Sequence, residues 1–150
     1  MRRAACLSFI LLALVVSTDS LQGQQAPGAD DRTRGQEIGF TLDQNYPNPF
    51  NPETRIPFEL YEGVFVDGRP AVVSVRIYNL LLQYVGSPTA LGHPAGDGVP
   101  IVDLEYPFPG RYEAHWDGRD RSGAMVASGV YILELTVNGQ SQILKMFVTK

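Results

Sequence analysis

The segment "WDGRDRSG", residues 116–123, sets two aspartates three positions apart among glycines, a composition that suits a cation-binding loop. A calcium loop needs several oxygen ligands, typically with acidic residues on alternate positions. Arg119 and Arg121 stand where further acids would help. A turn in which Asp117 and Asp120 accept backbone N–H bonds is therefore the favoured reading. The two histidines, His93 and His115, have no second ligand-type residue at metal spacing, and both are expected to face solvent. A Ser-His-Asp group assembles in space rather than along the chain, but no "GxSxG" nucleophile elbow is present. The glycines of "ALGHPAGDG" lack the Lys-Ser/Thr that follows in a phosphate loop. No set of acid, base and nucleophile stands out. The expectation is a non-catalytic protein with no catalytic, metal or cofactor residues.

The elements that would position these residues are short and alternate with period two, the signature of strands with one buried face. Phe40 and Leu42 make a brief first strand, and Ile56, Phe58 and Leu60 alternate with Pro57 and Glu59 in a second. In "AVVSVRIYN", Val73, Val75 and Ile77 share a face. "LLLQYV" either continues that sheet or turns a corner. Residues 86–100 are dense in glycine and proline and read as a long loop, followed by a short edge strand at 101–104. Tyr112, Ala114 and Trp116 define another strand, with Trp116 expected in the core. The chain closes with two strands around Asn138-Gly139, the strongest local cue for a hairpin because both residues tolerate positive φ. There, Tyr131, Leu133, Leu135 and Val137 share a face with Leu144, Met146 and Val148, while Glu134, Thr136, Lys145 and Thr149 suit solvent. About seven short strands argue an all-β, immunoglobulin- or fibronectin-III-like β-sandwich. In "ASGVY", Gly129 precedes Tyr131 by two positions, the setting of a tyrosine corner. Leu133 stands where antibody domains carry a cysteine.

The 150-residue chain has 15 glycines, 11 prolines and a net charge of −4, so it lacks the basic excess that draws nucleic acid. Arg2, Arg3 and the apolar run at 7–16 have the layout of a secretory signal peptide, too short to span a bilayer. Three segments are expected: a signal peptide at 1–23, a flexible linker at 24–37 and one domain at 38–150. Cys6 is the only cysteine and precedes the apolar run. The exported domain would therefore hold together through its core alone, without disulfides.

The motifs also occur in a telling order. "NYPNPFNPETRIPFEL", "VSVRIYNLLLQYV", "GRYEAHWDGRDRSGAMVASGVYILEL" and a closing "KMFVTK" follow one another, with a break at 86–109. The set resembles the type A C-terminal sorting domain of proteins exported by the type IX secretion system. It is also similar to the immunoglobulin-like domain of the flagellar hook-capping protein. The resemblance implies a targeting role: export to the periplasm, recognition by the outer-membrane translocon, and release to the cell surface or medium. It implies translocon proteins as partners and transient contact with the outer membrane, with no nucleic acid or small-molecule substrate. The recognition candidates it places on this chain are Tyr46, Pro47, Asn48, Pro49, Gly129, Tyr131, Lys145 and Lys150. Lys145 and Lys150 are equally suited to guarding an edge strand against aggregation, and the two roles are compatible. Two departures stand out. Leu82 occupies the glycine position of the usual "LLGQ", which is expected to reshape that turn. Such domains also normally trail a large passenger, whereas here only residues 24–37 lie between leader and domain. The alternative role is a structural or adhesive immunoglobulin-like module at the cell envelope.

The prolines of "NYPNPFNP" fix φ, remove N–H donors and push the preceding residues toward extended backbone. They predict a stiff elbow at the domain boundary that sets the entry angle of the second strand and shields an edge. Phe50 is its expected apolar anchor.

Overall fold

The computed structural model describes residues 39–150. The expected signal peptide at 1–23 and linker at 24–37 lie outside the described residues, as does Ile38.

Among the described residues the chain forms nine strands: β1 (Phe40–Leu42), β2 (Thr54–Leu60), β3 (Ala71–Asn79), β4 (Tyr84–Gly86), β5 (Thr89–Leu91), β6 (Leu104–Tyr106), β7 (Gly110–Trp116), β8 (Gly129–Val137) and β9 (Gln140–Val148). They build two antiparallel sheets of a sandwich, one in the order β1-β2-β7-β5 and one in the order β4-β3-β8-β9 with β6 also on β3. Between the sheets lie the residues that the alternation assigns inward. Ile56, Phe58 and Leu60 of β2 meet Val73, Val75 and Ile77 of β3, Leu133 and Leu135 of β8, and Met146 of β9, all essentially buried. Fully burying one such aliphatic or aromatic side chain stabilises the fold by about 1.5–3 kcal/mol, so this face holds the sandwich together without disulfides.

Pro57 lies inside a central strand, a position that proline normally avoids. Its carbonyl accepts from Asp43 N (3.0 Å), just past the end of β1. The missing N–H therefore falls where the β1 ladder stops, and Pro57 helps to end it. Beyond that break the chain pairs once more, with Tyr46 and Arg55 exchanging two backbone bonds of 2.9 Å. At the opposite sheet, Gln142 of β9 closes a corner of the sandwich: its Oε1 accepts from Leu42 N (2.7 Å) and its Nε2 donates to Phe40 O (3.1 Å).

The terminal hairpin turns at Asn138 (φ 49°) and Gly139 (φ 85°), as the Asn-Gly pair predicts. Asn138 also ties this turn to the rest of the domain, donating from Nδ2 to Val64 O and accepting from Val72 N. "LLLQYV" turns a corner: Asn79 and Gln83 close a three-residue loop between β3 and β4. Leu82 N donates to Asn79 O (3.0 Å), and Leu82 itself has φ 58°. A three-residue hairpin loop classically ends on a left-handed residue, where glycine fits without a Cβ penalty. The leucine is thus held in a left-handed conformation under strain. Replacing Leu82 by glycine is expected to raise the unfolding free energy by about 1 kcal/mol, since left-handed backbone costs a β-carbon residue about that much. Denaturant titration reads this directly, and an unchanged or lower midpoint would contradict it.

The region 86–109 departs furthest from the sequence expectation. It holds two strands, and the edge strand there runs Leu104–Tyr106, not 101–104. Thr89–Leu91 has no period of its own; it becomes a strand because it lies against β7, with Ala90 opposite Ala114. Ile101 is buried instead of paired in a strand, with its carbonyl accepting from Val75 N (2.9 Å).

His93 is a correction to the reading that placed it in solvent, since it is buried beside Tyr106 with ring centroids 4.5 Å apart. Its Nδ1 accepts from Ala95 N (2.9 Å), leaving Nε2 as the donor to Glu105 O (2.9 Å). Two backbone partners and an aromatic neighbour make it part of the loop's packing.

Candidate surface at the joined ends of the domain

The Asn-Pro elbow folds back onto the last strand. Phe50 N donates to Phe147 O and Thr149 N donates to Phe50 O, both at 3.0 Å, which pairs Phe50 with Val148 in parallel. The Asn48 side chain extends the same seam, its Oδ1 accepting from Phe147 N (2.9 Å). Two segments 99 positions apart thus share a short ladder that covers the outer end of β9, an edge strand of its sheet. The elbow does shield an edge, and the edge is that of the C-terminal strand.

Inside the seam, the Phe50 ring is buried edge-on against Trp116, with centroids 5.5 Å apart. Trp116 meets Tyr131 in the same manner at 5.7 Å. The Trp116 indole N–H donates to Arg119 O (3.0 Å), so its polar atom is satisfied in the core. The Tyr131 hydroxyl donates to Ala127 O (2.9 Å), the back-bond of a tyrosine corner. Asn45, also buried, donates from Nδ2 to Pro47 O and to Thr54 Oγ1, and Thr54 Oγ1 donates to Pro47 O in turn. Those bonds hold the elbow where prolines have removed ladder donors. The Tyr46–Pro47, Asn48–Pro49 and Asn51–Pro52 peptide bonds are cis.

The "WDGRDRSG" segment lies against this seam. Asp117 Oδ1 accepts from Arg119 N (3.1 Å). Asp120 Oδ1 accepts from Ser122 N, Ser122 Oγ and Ala124 N at 2.8, 2.6 and 3.1 Å. The bonds from Ser122 hold the Asp120 carboxyl below its usual range. Both aspartates are engaged as turn acceptors, the arrangement that the arginines in the segment favour. Gly118 (φ 71°) passes close beneath the elbow, where a Cβ would meet Pro52 O at 2.3 Å.

The recognition candidates fall in three places. Asn48, Pro49, Gly129, Tyr131 and Lys150 gather at one end of the sandwich: Gly129 lies opposite Val148 and Tyr131 opposite Met146. Pro49 and Lys150 are exposed, whereas Tyr131 is buried and serves the interior. Lys145 is exposed on the outer face of the five-stranded sheet, opposite Ile132. Tyr46 belongs elsewhere. Its hydroxyl donates to the Glu113 carboxylate on the outer face of the four-stranded sheet, where Arg55 also pairs with Glu113 (3.2 Å). The bond to Glu113 raises the Tyr46 pKa above its ordinary value. Pro47 is exposed beside it and contributes its carbonyl to the elbow network.

Sequence reasoning passed over the apolar residues of the outer surface. Ile143 and Phe147 of β9 and Leu80, Leu81 and Leu82 of the β3–β4 turn are all exposed. For β9 the signal was present: assigning Leu144, Met146 and Val148 inward leaves Ile143 and Phe147 outward by subtraction.

No family model matches the chain, and no curated protein matches it. Among solved structures, it is similar to part of dimeric latent PorU from Porphyromonas gingivalis, at 21% identity and a TM-score of 0.47. That similarity covers 73% of this chain and 9% of PorU. It is also similar to part of PorZ, described as an essential bacterial surface component of the type IX secretion system of Porphyromonas gingivalis. There the identity is 18% and the TM-score 0.41, over 82% of this chain and 13% of PorZ. The chain therefore spans a small fraction of either protein.

Proposed function

We propose that the domain is a non-catalytic sorting module, recognised as a folded surface by the type IX secretion translocon after export. The observation that carries this reading is the seam between elbow and C-terminal strand. Three separate blocks of the sorting-domain resemblance, at 46–52, 129–135 and 145–150, contribute to one end of the sandwich. A receptor bound there would read Asn48, Pro49 and Lys150 together only when the domain is folded, which suits a signal that must report completed folding. Tyr131 acts in this scheme as a positioning residue through Trp116 and the corner bond.

The test places residues 38–150 behind a signal peptide and a reporter in a host that has this system. The expected result is reporter at the cell surface or in the medium. Retention of the intact fusion in the periplasm would overturn the proposal. The exposed apolar side chains of β9 favour a second reading, a structural or adhesive module at the envelope. Mass spectrometry of the mature chain separates the two, because removal of the domain supports sorting and an intact Lys150 supports the module.

A further inference from the structure

The β3–β4 turn presents three leucines in a row, with Leu80, Leu81 and Leu82 exposed by 64%, 79% and 70%. They project from the end of the sandwich that holds the elbow seam, because Asn79 lies opposite Tyr131 and Gly129 lies opposite Val148. We propose that this end of the five-stranded sheet rests on a lipid bilayer, with the 80–82 turn inserted among the acyl chains. The inference stands apart from the sorting reading.

The first support is the company of the leucines. On the outer face next to them, Tyr78 and Tyr84 pack edge to face at 6.1 Å, and Phe147 is exposed on β9. Cations lie beside these aromatics. The Arg121 guanidinium is 5.6 Å from the Tyr84 ring centre, Lys145 is exposed in register with Tyr78 through Ile132, and Lys150 is exposed just past β9. Exposed leucines with aromatic and basic neighbours suit a membrane interface, with cations placed for anionic headgroups. The nearby acids are engaged: Glu134 accepts from the Tyr78 hydroxyl (3.2 Å) opposite Arg76, and Asp120 accepts from Ser122 and Ala124.

The second support is the backbone of the turn. Hydrocarbon penalises an N–H or C=O group left without a partner. Asn79 removes part of that penalty, because its side-chain Oδ1 accepts from Leu81 N (3.0 Å) and Gln83 N (2.9 Å) while its carbonyl accepts from Leu82 N. The tip thus enters with the N–H groups of Leu81, Leu82 and Gln83 bonded internally.

Shape favours lipid over a protein partner. The turn is convex, and the depression beside it is lined mainly by polar side chains, Asn79, Gln83, Asp120, Arg121 and Ser122, together with Tyr84 and Val85. Leucine is also under-represented among residues that dominate protein–protein affinity.

An environment-sensitive fluorophore on a single cysteine tests the proposal in the full chain. Cys6→Ser removes the only native thiol. Leu81→Cys places the label on the tip, and Ser141→Cys places it near the Asn138-Gly139 hairpin at the other end of β9. With vesicles of phosphatidylcholine and phosphatidylglycerol, emission from position 81 is expected to rise several-fold, shift to the blue and resist quenching by iodide. Emission from position 141 is expected to stay unchanged. The readout is local to the labelled side chain, so attachment through the apolar run at 7–16 does not produce it. Unchanged emission at 81, as a protein-binding tip would give, overturns the proposal, and so does an equal rise at both positions.

Discussion

Replacing Phe50 by alanine lowers the unfolding free energy by about 3–5 kcal/mol, the usual cost of deleting a buried aromatic ring. Its side chain is buried against Trp116, and its backbone carries two of the bonds that join the elbow to β9. The substitution therefore leaves a cavity between Trp116 and the seam and loosens the ladder around it. Urea titration is the measurement, with the midpoint falling and the slope holding constant. Phe108→Ala supplies the comparison, because that ring is exposed and its removal is expected to stay within about 0.5 kcal/mol. Similar losses at the two positions would show that Phe50 does not anchor the seam. For a domain whose total stability is about 5–15 kcal/mol, the Phe50 effect is large enough to reduce the folded population visibly.

Gly118→Ala is expected to destabilise the domain by more than about 2 kcal/mol, and two separable causes add. Left-handed backbone costs a residue with a β-carbon about 1–2 kcal/mol. The new methyl group would also overlap the Pro52 carbonyl, since a Cβ there meets Pro52 O at 2.3 Å. Relief requires the elbow backbone to move away from the "WDGRDRSG" turn. Gly123→Ala isolates the first cause, because Gly123 shares the positive φ (83°) and has nothing within 4 Å of its Cβ position. Denaturation of both variants should show a clearly larger loss at 118. Equal losses would mean that the elbow yields without resistance.

Where a signal was local, the sequence made it legible. Ile56, Phe58 and Leu60 face the interior and Arg55 and Glu59 do not, because successive strand residues point to opposite faces. The Asn138-Gly139 hairpin and the hydroxyl bond of Tyr131 follow from residues a few positions apart. Thr89–Leu91 was hidden for the opposite reason. Three residues carry no readable period, and their strand exists only because the β7 edge is there to receive them. His93 was misread because spacing reveals metal partners but not backbone ones, and the groups it binds, at Ala95 and Glu105, carry no side-chain signature. For the candidate surface, the blocks were visible but their grouping was not. Nothing in "NYPNPF" shows that Tyr46 turns to Glu113 on one sheet while Asn48 turns to Phe147 on the other.

The sequence by itself determined the strand class, the buried face of most strands, the terminal hairpin and the stiffness of the elbow. Those properties depend on side-chain alternation and on the local sterics of proline, glycine and asparagine. Only the tertiary structure decided that the elbow pairs with β9, that Trp116 lies between Phe50 and Tyr131, and that three leucines stand in solvent at the same end. Such outcomes depend on contacts between segments up to a hundred residues apart, where the packing of the whole chain selects one partner among many that are sterically equivalent in a strand.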